Sequence, residues 1–262
     1  MKRYQILLLI SLSLSVVMHA QIKWPDGKKA AIVLTYDDGL ETHRNIVIPQ
    51  LDAQGIKGTF FLFGQTLTSQ DIPEWKKISQ SGHELGNHSL YHPCLGGNND
   101  YPCSSLECYS VKSMLREIAV MNGFLYAIDG NTVRTYAYPC GQTVAGGEDY
   151  SVPMKQSGLI HFARGGGGDP VITDFCKLNF FKVPTLAAQT GEPSERLINF
   201  MDKIVKEKGL GIIVFHGVGG DYLDISAEVH QELVDYLAKR AAEIWVAPFG
   251  EVMEHVSKQR KQ

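Results

Sequence analysis

Short apolar runs recur along this chain, separated by segments with helical spacing, and that alternation leaves few folds open. Residues 30–36 read as a buried strand and residues 59–63 as another. Between them Ile46, Val47 and Leu51 share one side of a helical stretch disturbed at Pro49. Residues 73–80 predict a short helix, residues 83–86 a brief strand, and residues 93–104, rich in Gly, Asn and Pro, a loop. Leu106, Met114, Leu115, Ile118 and Met121 then recur at helical spacing. Residues 135–138, 159–163 and 211–215 are further strand candidates, and residues 244–246 the last. Helices lie between them, marked by Leu197, Ile198, Met201, Ile204 and Val205, and by Val229, Leu233 and Leu237. Strands alternating with helices predict an α/β fold of parallel strands wrapped by helices.

The residues that end these runs narrow the reading. Asp37-Asp38-Gly39, His88 and His92, Pro139-Cys140-Gly141, Arg164 and His216 each follow a predicted strand directly. In a β/α barrel such positions gather at one face, where active sites form. Random placement of the same residue types would not put all of them there.

Composition excludes some functions. The 262 residues suit one large α/β domain or two small ones, and 44% hydrophobic content supplies a substantial core. A net charge of −3 gives no basic footprint for nucleic acid. Residues 1–20 carry Lys2 and Arg3, an apolar stretch over 6–17, and Ala20 before Gln21. That pattern predicts a secretory signal, with residues 21–262 as the catalytic domain of an exported, periplasmic or extracellular protein. An uncleaved membrane anchor competes with it, but the apolar stretch is short for a span. Removal of the signal would leave 23 basic and 28 acidic side chains, a balance of −5, and no stable membrane insertion.

Five cysteines follow: Cys94, Cys103, Cys108, Cys140 and Cys176. An exported protein keeps disulfides, and the crowding of the first three in one loop suggests a bridge there. Their spacings make no familiar zinc site. The glycine run over residues 165–168 reads as flexible loop, since no Lys-Ser/Thr follows to make it a phosphate cradle.

Asp38, His88 and His92 offer one hard oxygen and two borderline nitrogens, a plausible set for one divalent metal with open positions. Zn2+ suits that mixture, and Co2+, Ni2+ or Fe2+ could occupy it. Pro93 disfavours helix at His92, which puts the histidine pair on a turn. Adjacent residues on an extended segment point to opposite sides, so Asp37 is free to act as general base or, failing that, to orient a ligand. His216, at the mouth of a buried strand, is placed to protonate a leaving amine or alkoxide. The Cys140 amide, in a tight turn, could point at an oxyanion.

These motifs resemble those of the polysaccharide deacetylases, the fourth carbohydrate esterase family. Thr35-Tyr36-Asp37-Asp38-Gly39 is similar to the family's Thr-Phe-Asp-Asp-Gly, and His88-Ser89-Leu90-Tyr91-His92 to its His-Ser/Thr-x-x-His. Gly82-His83-Glu84-Leu85-Gly86-Asn87 also looks familial, and the resemblance runs from residue 24 to about residue 255. It implies an incomplete or distorted (β/α) barrel of about seven parallel strands, and hydrolysis of N- or O-acetyl groups on a polysaccharide or oligosaccharide. It implies Asp37 as base, Asp38, His88 and His92 as metal ligands, His216 as acid and the Cys140 amide as oxyanion donor. Tyr138, Pro139 and Val214 would contact substrate, Val214 in the acetyl methyl pocket. The chain departs from the family at Ala137, where an arginine usually steadies the base; Arg164 could supply that charge from the next strand, and Arg134 less well. No tryptophan stands at the fourth motif. The alternatives are a catalytically impaired carbohydrate-binding protein on the same fold, or another metal-dependent amide or ester hydrolase.

Overall fold

A computed structural model describes residues 22–96, 104–165 and 167–260, so the signal expected at residues 1–20, together with Cys103 and Gly166, lies outside the described residues. In chain order the elements are β1 (Ala30–Asp37), a π-helical turn (His43–Val47) running into α1 (Ile48–Ala53), β2 (Thr59–Leu62), α2 (Ile72–Gln80), β3 (Glu84–Asn87), α3 (Val111–Asp129) and β4 (Thr135–Ala137). A small hairpin, β5 (Val144–Ala145) and β6 (Glu148–Asp149), precedes α4 (Ser151–Ser157) and β7 (Phe162–Arg164). Then come β8 (Leu186–Ala187), α5 (Ser194–Glu207), β9 (Leu210–Phe215), α6 (Ala227–Lys239), β10 (Ile244–Val246) and α7 (Phe249–Arg260).

Seven strands follow one another in the order β7-β4-β3-β2-β1-β9-β8, and every pairing is parallel. The eighth, β10, pairs with the first half of β1 (Ala30 opposite Ile244), while β2 pairs with its second half (Thr35 opposite Thr59). The wall is thinnest between β7 and β8. There one bridge joins Arg164 to Val183 before the chain reaches Leu186, opposite Ile213. The fold is thus an incomplete (β/α) barrel.

β1 explains how the core is divided. All eight of its residues are buried. Ile32, Leu34 and Tyr36 pack outward with Leu197, Met201, Leu233 and other helix side chains. The smaller Ala31 and Val33 pack inward with Phe61, Ala137, Ile212 and Phe249. A strand buried on both faces reads as a continuous apolar run, which is what parallel sheets demand.

α7 plugs the end of the barrel away from the strand C-termini. Phe249 N donates to Thr59 Oγ1 (2.7 Å) and Gly250 N to Glu84 Oε2 (2.8 Å), so side chains of β2 and β3 satisfy the first amides of the helix. The other end of the barrel is the C-terminal rim, where the candidate groups stand. Neither α7 nor α4 was expected from sequence, although Phe249, Val252, Met253 and Val256 carry helical spacing. The apolar run at 159–163 is strand only from Phe162, because α4 ends in a left-handed Gly158 (φ 69°) and the chain must turn first.

Candidate active site and metal centre

Each candidate group stands at the C-terminal end of a strand. Asp37 closes β1, Arg164 closes β7, and His88, Cys140 and His216 follow β3, β4 and β9. Together with His92, Tyr138, Val214 and Tyr222 they line one cleft of about 470 Å³. Pro139 is buried at the start of its turn and is not among the residues lining this cleft. Tyr138 lines the cleft, but its hydroxyl donates to Phe181 O (2.8 Å), which fixes the ring in the wall.

Asp38 departs from the strand in a left-handed conformation (φ 77°). Gly39 follows, also left-handed (φ 64°), where a Cβ would lie 2.8 Å from the Leu62 side chain. This turn changes one expectation. Strand alternation would have sent the two carboxylates apart, yet both approach the same imidazole. His88 Nε2 is 3.5 Å from Asp38 Oδ1 and 3.8 Å from Asp37 Oδ2. The reason is that Asp38 is no longer extended.

The histidines are held by the loop after β3. His88 Nδ1 donates to Ala137 O (2.8 Å), which leaves the Nε2 lone pair facing the cleft. Ser89 (φ 68°) and His92 (φ 52°) are left-handed, so the pair sits on a turn and not on a helix. Asn87 Oδ1 accepts from Ser89 N (2.7 Å), and Glu117 of α3 accepts from Leu90 N and Tyr91 N (both 3.2 Å). His92 Nε2 thereby comes 3.0 Å from His88 Nε2 and 3.6 Å from Asp38 Oδ1. Burial, and then the neighbouring His88, push the His92 imidazole down to about 4, so it is neutral near pH 7. Asp38 Oδ1 is buried and has no hydrogen-bond partner. An orphaned carboxylate oxygen between two imidazole nitrogens fits a divalent cation, and the donor set fits Zn2+.

Burial pushes the Asp37 carboxyl up, but the Arg164 guanidinium, His88 and His216 together outweigh it and hold the group below the usual carboxylate range. Arg164 Nη2 donates to Asp37 Oδ1, and its guanidinium lies 4.5 Å over the Phe61 ring. Arg134, the other arginine considered, is bound to Asp129 instead, at 2.5 and 2.7 Å. The charge that Ala137 lacks is supplied one strand away.

His216 Nε2 lies 3.9 Å from Asp38 Oδ2, with a fifth of its side chain exposed to the cleft. His43, not singled out from sequence, donates from Nε2 to the His216 carbonyl (2.8 Å) and so steadies the backbone that carries this imidazole. In the turn after β4, Gly141 N and Gln142 N donate to Tyr138 O and Pro139 O. Cys140 itself is left-handed (φ 52°), and its N–H has no partner among the described residues. Cys140 is bonded to Cys94. The bridge therefore runs from the loop that carries His88 and His92 to the turn after β4 and not within the cysteine-rich loop, and Cys108 and Cys176 are free thiols. Neither this pairing nor Tyr222, whose hydroxyl donates to Asp38 Oδ2, had a signal in the sequence.

Comparison with known proteins agrees with this architecture. The profile of the family described as polysaccharide deacetylase matches residues 25–149. A gellan lyase from a Bacillus species is 28% identical over 168 residues, 64% of this chain and 6% of that protein. A peptidoglycan-N-acetylmuramic acid deacetylase of Bacillus subtilis is 39% identical over 70 residues, 26% of each. The matched segments thus span 6% and 26% of these relatives' own lengths. The crystal structure of the Xyl-CE4 domain of a multidomain xylanase, from the hindgut metagenome of Trinervitermes trinervoides, superposes with a TM-score of 0.57. It covers 86% of this chain and 90% of that one at 17% identity, and so speaks for the fold alone.

Proposed function

Because this chain belongs to the polysaccharide deacetylase family, we propose that it is a metal-dependent hydrolase removing N- or O-acetyl groups from a polysaccharide or oligosaccharide. The observation that carries the reading is the meeting of three units in one cleft: Asp37 with Arg164, Asp38 with the two histidines, and His216 across from them. Asp38, His88 and His92 would hold the cation, whose chemistry is to polarise the acetyl carbonyl and lower the pKa of water.

The chain's own groups supply the proton traffic. Asp37, kept ionised by Arg164, takes a proton from the attacking water as its oxygen bonds to the acetyl carbon. The Cys140 N–H faces the oxyanion that forms. His216 gives a proton to the departing nitrogen or oxygen as the bond to the acetyl carbon breaks, and acetate leaves. Val214, in the cleft wall on β9, bounds the space for the methyl group. Residues 1–20 would direct export, to the periplasm or beyond.

The relative from Bacillus subtilis is named for N-acetylmuramic acid in peptidoglycan, which makes acetylated cell-wall fragments the first substrates to try. The decisive assay is acetate release from acetylated oligosaccharides by metal-loaded protein, with Asp37→Asn beside it. The variant is expected to keep its metal and lose roughly 100- to 10,000-fold in rate. Near-full release by Asp37→Asn would remove Asp37 as base. Glycan binding without turnover would favour the impaired carbohydrate-binding reading, against which the placement of Arg164 weighs. Turnover of simple aryl esters alone would favour another hydrolase.

A further inference from the structure

Beyond the residues that the family motifs reach, the loop between β9 and α6 brings a phenol to the metal site. We propose that Tyr222 is a positioning residue that holds Asp38 as a one-oxygen metal ligand; the inference rests on the metal site of the proposed function. The two oxygens of Asp38 are in different surroundings. Oδ1 has no hydrogen-bond partner and faces the Nε2 atoms of His88 and His92. Oδ2 accepts from the Tyr222 hydroxyl. With one oxygen engaged by the phenol, rotation of the carboxylate and chelation through both oxygens are disfavoured, and the coordination position a second oxygen would take is left for water and substrate.

The loop is built to keep the phenol there. Gly217 N donates to Tyr222 O (3.1 Å), Ile225 N to Gly217 O (3.2 Å) and Gly219 N to Ile225 O (2.8 Å). The carboxylate of Asp221 accepts from Thr42 N (3.1 Å) and Thr42 Oγ1 (2.7 Å), which ties the loop to the segment just after Asp37-Asp38. Gly217 has no room for a side chain, since a Cβ would lie 2.1 Å from Gly220 O. Asp221 (φ 63°) and Leu223 (φ 51°), on either side of the tyrosine, are both left-handed. Such conformations cost free energy and persist where surrounding contacts enforce them. The Tyr222 ring itself is half-exposed and sits 5.7 Å from the His216 imidazole, in the wall of the cleft.

The test is metal binding by the full chain, which needs no turnover. Zn2+ affinity is measured in metal-buffered competition, and the visible spectrum is recorded after Co2+ loading. Tyr222→Phe is expected to weaken Zn2+ about 10-fold or more and to change the Co2+ spectrum, as loss of a partner to a ligand does. Asp221→Asn, which keeps the phenol but loosens its loop, is expected to shift affinity in the same direction by less. A Tyr222→Phe protein with wild-type Zn2+ affinity and an unchanged Co2+ spectrum overturns the proposal. A phenolate charge-transfer band in the Cu2+-loaded wild type, absent from Tyr222→Phe, also overturns it, because the tyrosine would then be a ligand itself. A wild type that binds no divalent cation overturns both this inference and the proposed function. Tyr222-dependent metal binding without acetate release upholds this inference and fails the hydrolase alone.

Discussion

Asp37 is a carboxylate that burial alone would favour in its neutral form, and Arg164, with His88 and His216, reverses that preference. The sign of a pH effect follows. With Arg164→Gln the upward push of burial is offset less, so the Asp37 pKa rises and the group is protonated over more of the acidic range. The acid limb of the kcat/KM profile should move to higher pH, with a larger loss near pH 5 than near pH 8; an unmoved acid limb would mean that Arg164 does not tune the base. Tyr36 poses a second question at this scale. It stands where the resembling family has phenylalanine, and its hydroxyl donates to His230 Nε2 (2.8 Å), since His230 Nδ1 is committed as donor to Gln50. Tyr36→Phe leaves a buried nitrogen unpaired and should cost about 1–3 kcal/mol in denaturant unfolding. If the unfolding midpoint is unchanged, the bond contributes nothing net.

Among the elements, α6 is joined to β1 through that same histidine, and the joint should be sensitive to acid. Burial pushes His230 down to about 3 and His43 to about 4. Below roughly pH 6.5 the unfolded chain binds protons that these folded imidazoles refuse. Stability should therefore be flat above neutrality and fall as the pH drops from about 6.5 toward 4. His230→Gln keeps hydrogen-bonding groups without titrating, and should flatten the fall in unfolding free energy between pH 7 and 4.5 by an amount on the order of 3 kcal/mol. An identical slope in the variant would place the acid sensitivity elsewhere. α7 and α4 show why some elements escaped the sequence reading. α4 is short and contains Pro153, and α7 is amphipathic only toward a barrel floor that Thr59 and Glu84 complete from distant strands.

For the whole molecule, the Cys94–Cys140 bridge joins the His88–His92 turn to the turn after β4 across a sequence separation of 46. Chain entropy assigns such a crosslink about 4 kcal/mol. Cys94→Ser with Cys140→Ser should lower Tm by roughly 10 °C, read by calorimetry under oxidising conditions. An unchanged Tm would mean the two turns are held by other contacts. Bound metal should act the same way: Zn2+ at about 100-fold its Kd adds about 2.7 kcal/mol to stability, and chelation removes it.

The order of apolar runs and the groups that end them determined the parallel barrel, the rim on which the site sits, and the residues Asp37, Asp38, His88, Arg164 and His216. That much is local, because a strand buried on both faces is a largely apolar run and the polar groups that end it stand at the rim. Contact between residues far apart in sequence decided the rest. The left-handed turn at Asp38 brings both carboxylates to His88, Cys94 finds Cys140 across 46 residues, and Tyr222 reaches Asp38 across 184. Periodicity carries no information about such partners, since each depends on where the closed wall of strands sets two loops down side by side.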